Sequence, residues 1–129
     1  MTSDNGTFEE ITFTARAGLR LYGRRYPAPD SGRRPVLCLA GLTRNSRDFH
    51  RLALALSQHR ATPRTVYTID YRGRGRSDHD PDWRNYALPI EMLDVVDFMT
   101  SVSLSDAAIV GTSRGGLIAT LMAAAQPST

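Results

Sequence analysis

The sequence predicts an α/β fold in which an antiparallel hairpin leads into a mostly parallel sheet with helices on both faces. Three features support this prediction: two alternating segments near the start, apolar runs that suit buried strands, and apolar stripes with helical spacing between those runs. After the hairpin the predicted order is strand, helix, strand, helix, strand, helix. That alternation is typical of a parallel sheet covered by helices. The 129 residues suit one domain.

The strand predictions follow from residue patterning. The first two segments alternate between apolar and polar residues, and the pair Ala17-Gly18 between them predicts a turn, so they form a hairpin. The third segment is continuously apolar, as expected of a strand buried on both faces. The fourth is rich in β-branched and aromatic residues. The predicted strands are 10–15, 19–26, 35–40, 64–69 and 106–110.

Three helices are predicted between and after these strands, over 45–57, from Pro89 onward, and over 115–126. Proline is well suited to the first turn of a helix, which explains the start at Pro89. In each of the first two helices, apolar residues share one face. In the second helix, Glu91 and Asp94 fall off the apolar stripe and are expected on a solvated face. The apolar face of the first helix consists of Phe49, Leu52, Ala53 and Leu56, with Asn45 as its N-cap.

The sequence Gly-Thr-Ser-Arg-Gly at 111–115 lies between the last predicted strand and the last predicted helix. Gly-x-Ser-x-Gly in that context is typical of a nucleophile elbow, in which a tight turn exposes a serine hydroxyl above the sheet. Ser113 is therefore the candidate nucleophile. The backbone N–H of Arg114, at the start of a helix, is a candidate donor to an oxyanion. A plain glycine turn is the alternative.

The loop 70–78 alternates arginine with glycine and has two interpretations. It is one short copy between a strand and a helix, so we expect a structural loop in which Asp70 and Ser77 bind backbone groups. Binding of RNA or phosphate is the less favoured alternative. The acidic run 78–82 matches the start of a calcium loop but lacks the glycine and the glutamate that such a loop needs.

Composition excludes several classes of protein. The net charge of +3 is the difference between 16 basic residues, all of them arginine, and 13 acidic residues, and it is weak evidence for nucleic-acid binding. Cys38 is the one cysteine, so no internal disulfide forms, and we expect a buried thiol in a reduced, cytoplasmic protein. The three histidines lack the spacing of metal ligands. No signal peptide or membrane span is expected. We predict no cofactor, no metal, and neither nucleic acid nor membrane as a partner.

Three segments follow one another along the chain: Leu39-Ala40-Gly41-Leu42, Asp70-x-Arg72-Gly73-x-Gly75-x-Ser77 and Gly111-x-Ser113-x-Gly115-Gly116. In this order they resemble the α/β-hydrolase superfamily, in its branch of esterase-like and C–C-bond hydrolases. By this resemblance Ser113 is the nucleophile, and the backbone N–H groups of Leu42 and Arg114 form the oxyanion hole. The side chain of Arg114 either meets an acidic group of a small-molecule substrate, or packs or reaches solvent. For the loop that contains Leu42, after the first buried strand, the alternative to an oxyanion loop is a simple turn between strand and helix.

Residues 114–129 contain no aspartate, glutamate or histidine, whereas in this family the catalytic acid and histidine follow the serine. The sequence therefore predicts the N-terminal half of such a domain, truncated and weakly active or inactive alone. The alternative is a non-catalytic α/β binding module that uses the elbow pocket. With later strands missing, segment 107–110 becomes an apolar sheet edge, which predicts self-association or a partner that supplies strands.

Overall fold

The computed structural model describes residues 8–15, 18–28, 32–39, 49–112 and 114–125. The predicted alternation of strands and helices is confirmed there, with bounds shifted by a few residues. A short 3₁₀ helix, Trp83–Tyr86, precedes the second α-helix. The elements are β1 Glu9–Thr14, β2 Arg20–Tyr26, β3 Val36–Leu39, α1 His50–Ser57, β4 Val66–Asp70, α2 Leu88–Ser101, β5 Ala108–Gly111 and α3 Arg114–Ala125.

The five strands form one open sheet in the order β1-β2-β4-β3-β5. The pairs β1–β2 and β2–β4 are antiparallel, whereas β3 pairs in parallel with both β4 and β5. The predicted hairpin leading into a parallel sheet is therefore confirmed. Within the described residues β5 pairs with β3 alone, so it lies at the edge of this sheet.

Helices cover both faces of the sheet, as predicted, and alternate residues of each strand show this. In β3, Leu37 and Leu39 pack in the same cluster as residues of α2 and α3. The intervening Val36 and Cys38 pack with Phe49 and Ala53 beside α1. Because successive strand residues point to opposite faces, α1 covers one face while α2 and α3 cover the other.

The helix α1 differs from its prediction in the residues that it buries. Phe49, Ala53 and Ser57 are buried at intervals of four residues, whereas Leu52 is 41% exposed. Ala53 is the middle of these three buried residues. Because each residue turns the helix by about 100°, Leu52 lies about 100° around the helix from it. The predicted N-cap Asn45 lies outside the described residues.

The second helix starts as predicted, with Pro89 in its first turn. None of the helices in the described part of the chain has the length and apolar content of a membrane span.

Candidate active site

The corner between β5 and α3 is the structural setting of the candidate nucleophile. The strand ends at Gly111 and the helix starts at Arg114, so two residues connect them. The N–H of Gly115 donates to the carbonyl of Thr112 at 2.9 Å and so closes the turn. The prediction of a strand followed by a tight turn and a helix is confirmed for the described residues. Ser113 itself lies outside them.

Gly111 permits the close approach of strand and helix at this corner. A Cβ atom at position 111 would lie 2.6 Å from the carbonyl carbon and oxygen of Gly115, and 2.7 Å from the nitrogen of Gly116. These are backbone atoms, so they cannot move aside as a flexible side chain would. The first turn of α3 therefore rests directly on the end of β5, and only glycine fits at this position.

The end of β3 lies beside this corner. The N–H of Thr112 donates to the carbonyl of Leu39, the last residue of β3, at 3.1 Å. The carboxyl ends of neighbouring parallel strands meet at one edge of a sheet, where α/β folds bind their ligands. The strands β3 and β5 therefore end on the same side of the sheet. Leu42, the other predicted oxyanion donor, belongs to segment 40–48, which lies outside the described residues.

The side chain of Arg114 is bound by neighbouring elements of the protein. Its Nε donates to Glu91 Oε1 at 2.6 Å, and its Nη2 donates to the carbonyl oxygen of Tyr86 at 2.9 Å. Glu91 belongs to α2, and Tyr86 ends the 3₁₀ helix. Of the two alternatives for this side chain, the structure favours packing over contact with an acidic substrate group.

The predicted solvated face of α2 is wrong, because both Glu91 and Asp94 are buried. The reason is the arginine-glycine loop, which folds against α2 and supplies cations. Arg72 Nε and Nη2 each donate to Asp94 at 2.6 Å, and Arg72 Nη1 donates to Asp80 at 2.8 Å. Arg74 Nη1 donates to Glu91 Oε2 at 2.9 Å.

Together these groups form a buried charge cluster in which three guanidinium groups balance three carboxylates, so its formal net charge is zero. Burial raises the pKa of Asp94, while hydrogen bonding to Asp94 raises the pKa of Arg72. The backbone N–H of Asp82 lowers the pKa of Asp80. Sequence reasoning missed this cluster, although two arginines two residues apart and two acids three residues apart were visible signals. Its members are Arg72, Arg74, Asp80, Glu91, Asp94 and Arg114.

The structural interpretation of loop 70–78 is supported by its hydrogen bonds. Ser77 Oγ donates to the carbonyl of Asp70 at 2.6 Å and accepts from the N–H of Tyr22 at 2.9 Å. Asp70 Oδ2 accepts from the N–H of Arg76 at 2.9 Å. Gly75 has a φ of +54°, and a Cβ there would collide with the Asp70 carboxylate. Asp70 and Ser77 thus bind loop backbone, as predicted.

The acidic run after this loop also binds groups of the protein itself. Asp78 accepts from the N–H of Arg20, and Asp82 accepts from the side chain of Arg84. Among the residues that the structure describes, no group of three or more His, Cys, Asp or Glu could hold a metal ion.

Comparison with known protein families matches residues 34–129 to the family of the alpha/beta hydrolase fold. The chain belongs to this family. The match begins just before β3 and includes the corner at Gly111, so it covers the predicted nucleophile and both predicted oxyanion donors.

Two relatives in sequence are hydrolases by name. A serine hydrolase-like protein of Danio rerio is 35% identical over 99 residues, which are 77% of this chain and 29% of that protein. A 3-hydroxybutyrate-oligomer hydrolase of Cupriavidus necator is 37% identical over 86 residues, which are 66% of this chain and 28% of that protein. This α/β-hydrolase chain therefore spans less than a third of the length of both relatives.

A solved structure gives the same result for the fold. An alpha/beta hydrolase from Novosphingobium aromaticivorans is 38% identical, with a TM-score of 0.86. The alignment covers 99% of this chain and 42% of that chain. The described strands and helices are thus those of an α/β hydrolase, and they correspond to less than half of that structure.

Proposed function

We propose that this chain carries the nucleophile of an α/β-fold serine hydrolase that acts on a small ester- or acyl-type substrate. The observation that supports this most directly is the corner between β5 and α3. Gly111 packs against Gly115 and Gly116 at this corner. Two residues connect the strand to the helix, Thr112 and Ser113, and Ser113 is the proposed nucleophile. A serine in this turn, at the carboxyl ends of the parallel strands, suits attack on a carbonyl group.

In the proposed reaction, the Oγ of Ser113 attacks the carbonyl carbon of the substrate and forms a tetrahedral intermediate. The negative charge on the former carbonyl oxygen is stabilised by the backbone N–H groups of Arg114 and Leu42. A base accepts the serine proton and passes it to the leaving alkoxide, which yields an acyl-serine that water then hydrolyses. We propose that this base and its orienting acid come from outside these 129 residues.

Named relatives support ester substrates over amides. The Cupriavidus necator relative is named as a hydrolase of 3-hydroxybutyrate oligomers. Another relative, from Xenopus tropicalis, is named as an sn-1-specific diacylglycerol lipase and is 31% identical over 125 residues, 36% of that protein. Both substrates are carboxylic esters, so we propose that this chain serves the same class of bond.

A p-nitrophenyl butyrate assay tests the proposed nucleophile. We compare the chain with Ser113→Ala, and with Ser105→Ala as a control at an exposed serine. We expect slow turnover in all three proteins, because a site without its base retains only about 10³–10⁴-fold acceleration over water, which comes from the oxyanion hole and substrate binding. A butyryl-serine, detected by mass spectrometry, should form in the chain and in Ser105→Ala but not in Ser113→Ala. Butyryl-serine that forms equally in all three proteins, or in none of them, would refute the nucleophile. Fast turnover that depends on Ser113 would support Ser113 as the nucleophile, but it would refute the proposal that the base lies outside these residues.

A non-catalytic α/β binding module that uses the elbow pocket is the second candidate. The two candidates differ in the fate of the bound ester. If the butyrate ester binds equally well to the chain and to Ser113→Ala, and neither protein turns it over, the binding module is the better description.

We also propose that β5 recruits further strands, either from a second copy or from a partner. Val110 is 37% exposed, and in the described part of the chain β5 has one paired neighbour. Unpaired backbone groups at a sheet edge favour association. Light scattering after size exclusion tests this, and a compact monomer with a cooperative melt well above room temperature would contradict it.

We propose a cytoplasmic location for the protein, which its single buried cysteine suits.

A further inference from the structure

The first turn of α3 contains very few side chains. The helix begins with Arg114, Gly115 and Gly116, so Arg114 is the only one of these three residues with a side chain beyond Cα. Each glycine also costs about 1 kcal/mol of helix stability relative to alanine. The orientation of this turn therefore depends on the contact with β5 at Gly111 and on the anchoring of Arg114.

Arg114 is anchored to two different elements at once. Its Nε binds Glu91 in α2 and its Nη2 binds the carbonyl of Tyr86 in the 3₁₀ helix. The side chain of Arg114 is 17% exposed and that of Glu91 is 0% exposed. A planar guanidinium that donates in two directions to a buried carboxylate and a carbonyl has little freedom to rotate.

Glu91 is itself held in place from its other side. Its Oε2 accepts from Arg74 Nη1, and Arg74 also donates to the carbonyl of Arg72 at 3.3 Å. Both carboxylate oxygens are thus occupied by guanidinium groups from different segments. Glu91 also interacts electrostatically with the titratable groups of Asp94 and Tyr71. Glu91 therefore joins the arginine-glycine loop to the start of α3.

We propose that Glu91 is a positioning residue for the serine chemistry, which holds Arg114 so that its backbone N–H keeps a fixed direction at the elbow. The inference rests on the proposed function, because it assigns Arg114 N–H the role of an oxyanion donor. Glu91 acts here through the first turn of α3 and does not contact the substrate.

The test replaces the nucleophile by a thiol and measures how the helix terminus stabilises its anion. In a Cys38→Ala, Ser113→Cys background, the rate of alkylation by iodoacetamide is recorded against pH. A thiol at an ordered helix N-terminus titrates at about 7.5 or below, against about 8.5 for a free cysteine. Turnover is not needed, so failure of the proposed hydrolase activity does not affect this measurement.

Two variants conserve charge while breaking the anchor. Arg114→Lys keeps the cation but cannot donate to Glu91 and Tyr86 in the same geometry, and Glu91→Asp keeps the anion but shortens its reach. We expect each to raise the titration midpoint by about one pH unit toward 8.5. Arg84→Lys is the matched control, because that arginine is 73% exposed and pairs with Asp82, which is not a member of the charge cluster.

Far-UV circular dichroism monitors the fold of every variant. If Glu91→Asp loses helical signal, Arg114→Lys decides the test alone, since its partly exposed side chain does not fill the core. Unchanged midpoints in the folded variants would overturn the proposal, as would a parent midpoint near 8.5. A midpoint that rises only when the charge of Arg114 is removed, as in Arg114→Met, would also overturn it, because Arg114 would then act as a cation and not as an anchor.

Discussion

Substitution of Gly111 by alanine tests whether the start of α3 rests on the end of β5. The added Cβ would lie 2.6 Å from the carbonyl group of Gly115. Carbon atoms normally pack about 3.5–4.0 Å apart, so strand and helix must separate by about 1 Å. Gly116 offers a matched control within the same turn, because a Cβ there would lie 3.6 Å from the carbonyl oxygen of Gly111, an ordinary contact.

The two substitutions are expected to change stability in opposite directions. Overpacking costs about 1–3 kcal/mol, and Gly111→Ala belongs at the upper end because the obstructing atoms are backbone. Gly116→Ala removes a helical glycine and gains roughly 0.5–1 kcal/mol. The free energies of unfolding of the two variants should therefore differ by about 3 kcal/mol, which corresponds to melting temperatures on the order of 10 °C apart.

Urea unfolding followed by circular dichroism measures these free energies, and thermal melts provide the second estimate. A Gly111→Ala protein as stable as the parent would show that strand and helix are not in direct contact. Destabilisation by Gly116→Ala equal to that by Gly111→Ala would show that the turn rejects any side chain, whatever the local space. Either result would refute the reasoning from the Gly111 contact.

Three further predictions concern buried polar groups, and urea unfolding measures each. Thr68→Val should stabilise the protein by about 1 kcal/mol, because the Thr68 hydroxyl is buried with no hydrogen-bond partner in the described part of the chain; a loss of stability would show that the hydroxyl has a partner. Arg72→Met should cost about 3–5 kcal/mol by leaving Asp94 buried without its cation, whereas Arg84→Met at the surface should change little; equal effects would contradict this. Burial raises the pKa of Cys38 to about 12. Above a pH of about 8.5 the unfolded chain therefore loses the thiol proton while the folded chain keeps it, so the free energy of unfolding falls as pH rises. Cys38→Ala should flatten this alkaline decline by up to about 1.4 kcal/mol per pH unit, and an unchanged slope would refute it.

Much of the fold could be predicted from local pattern. Alternation located the hairpin, and continuous apolar runs located strands that are buried on both faces. The loop from Asp70 to Ser77 was also predictable, because both side chains bind backbone within the same short segment. Such features depend on neighbours in sequence, which a single chain displays directly.

The charge cluster could not be predicted in this way. A helical pattern that places Glu91 off the apolar stripe indicates solvent unless a cation from elsewhere reaches it. That cation comes from loop residue Arg74 and from Arg114, which begins another helix. Long-range pairs of this kind are decided by the packing of α2 and α3 on one face of the sheet, which the periodicity of one helix does not contain.

The order of strands has a consequence for how the chain folds. Val36 pairs with Val66 on one side and with Ala108 on the other, so β3 gains its second neighbour only from β5, which comes after α2 in the sequence. Contacts that span so much of the chain slow folding, because a long loop must close before they form. On the ribosome, β3 therefore has one unpaired side until β5 has emerged, and we expect chaperones to bind the nascent chain during that interval.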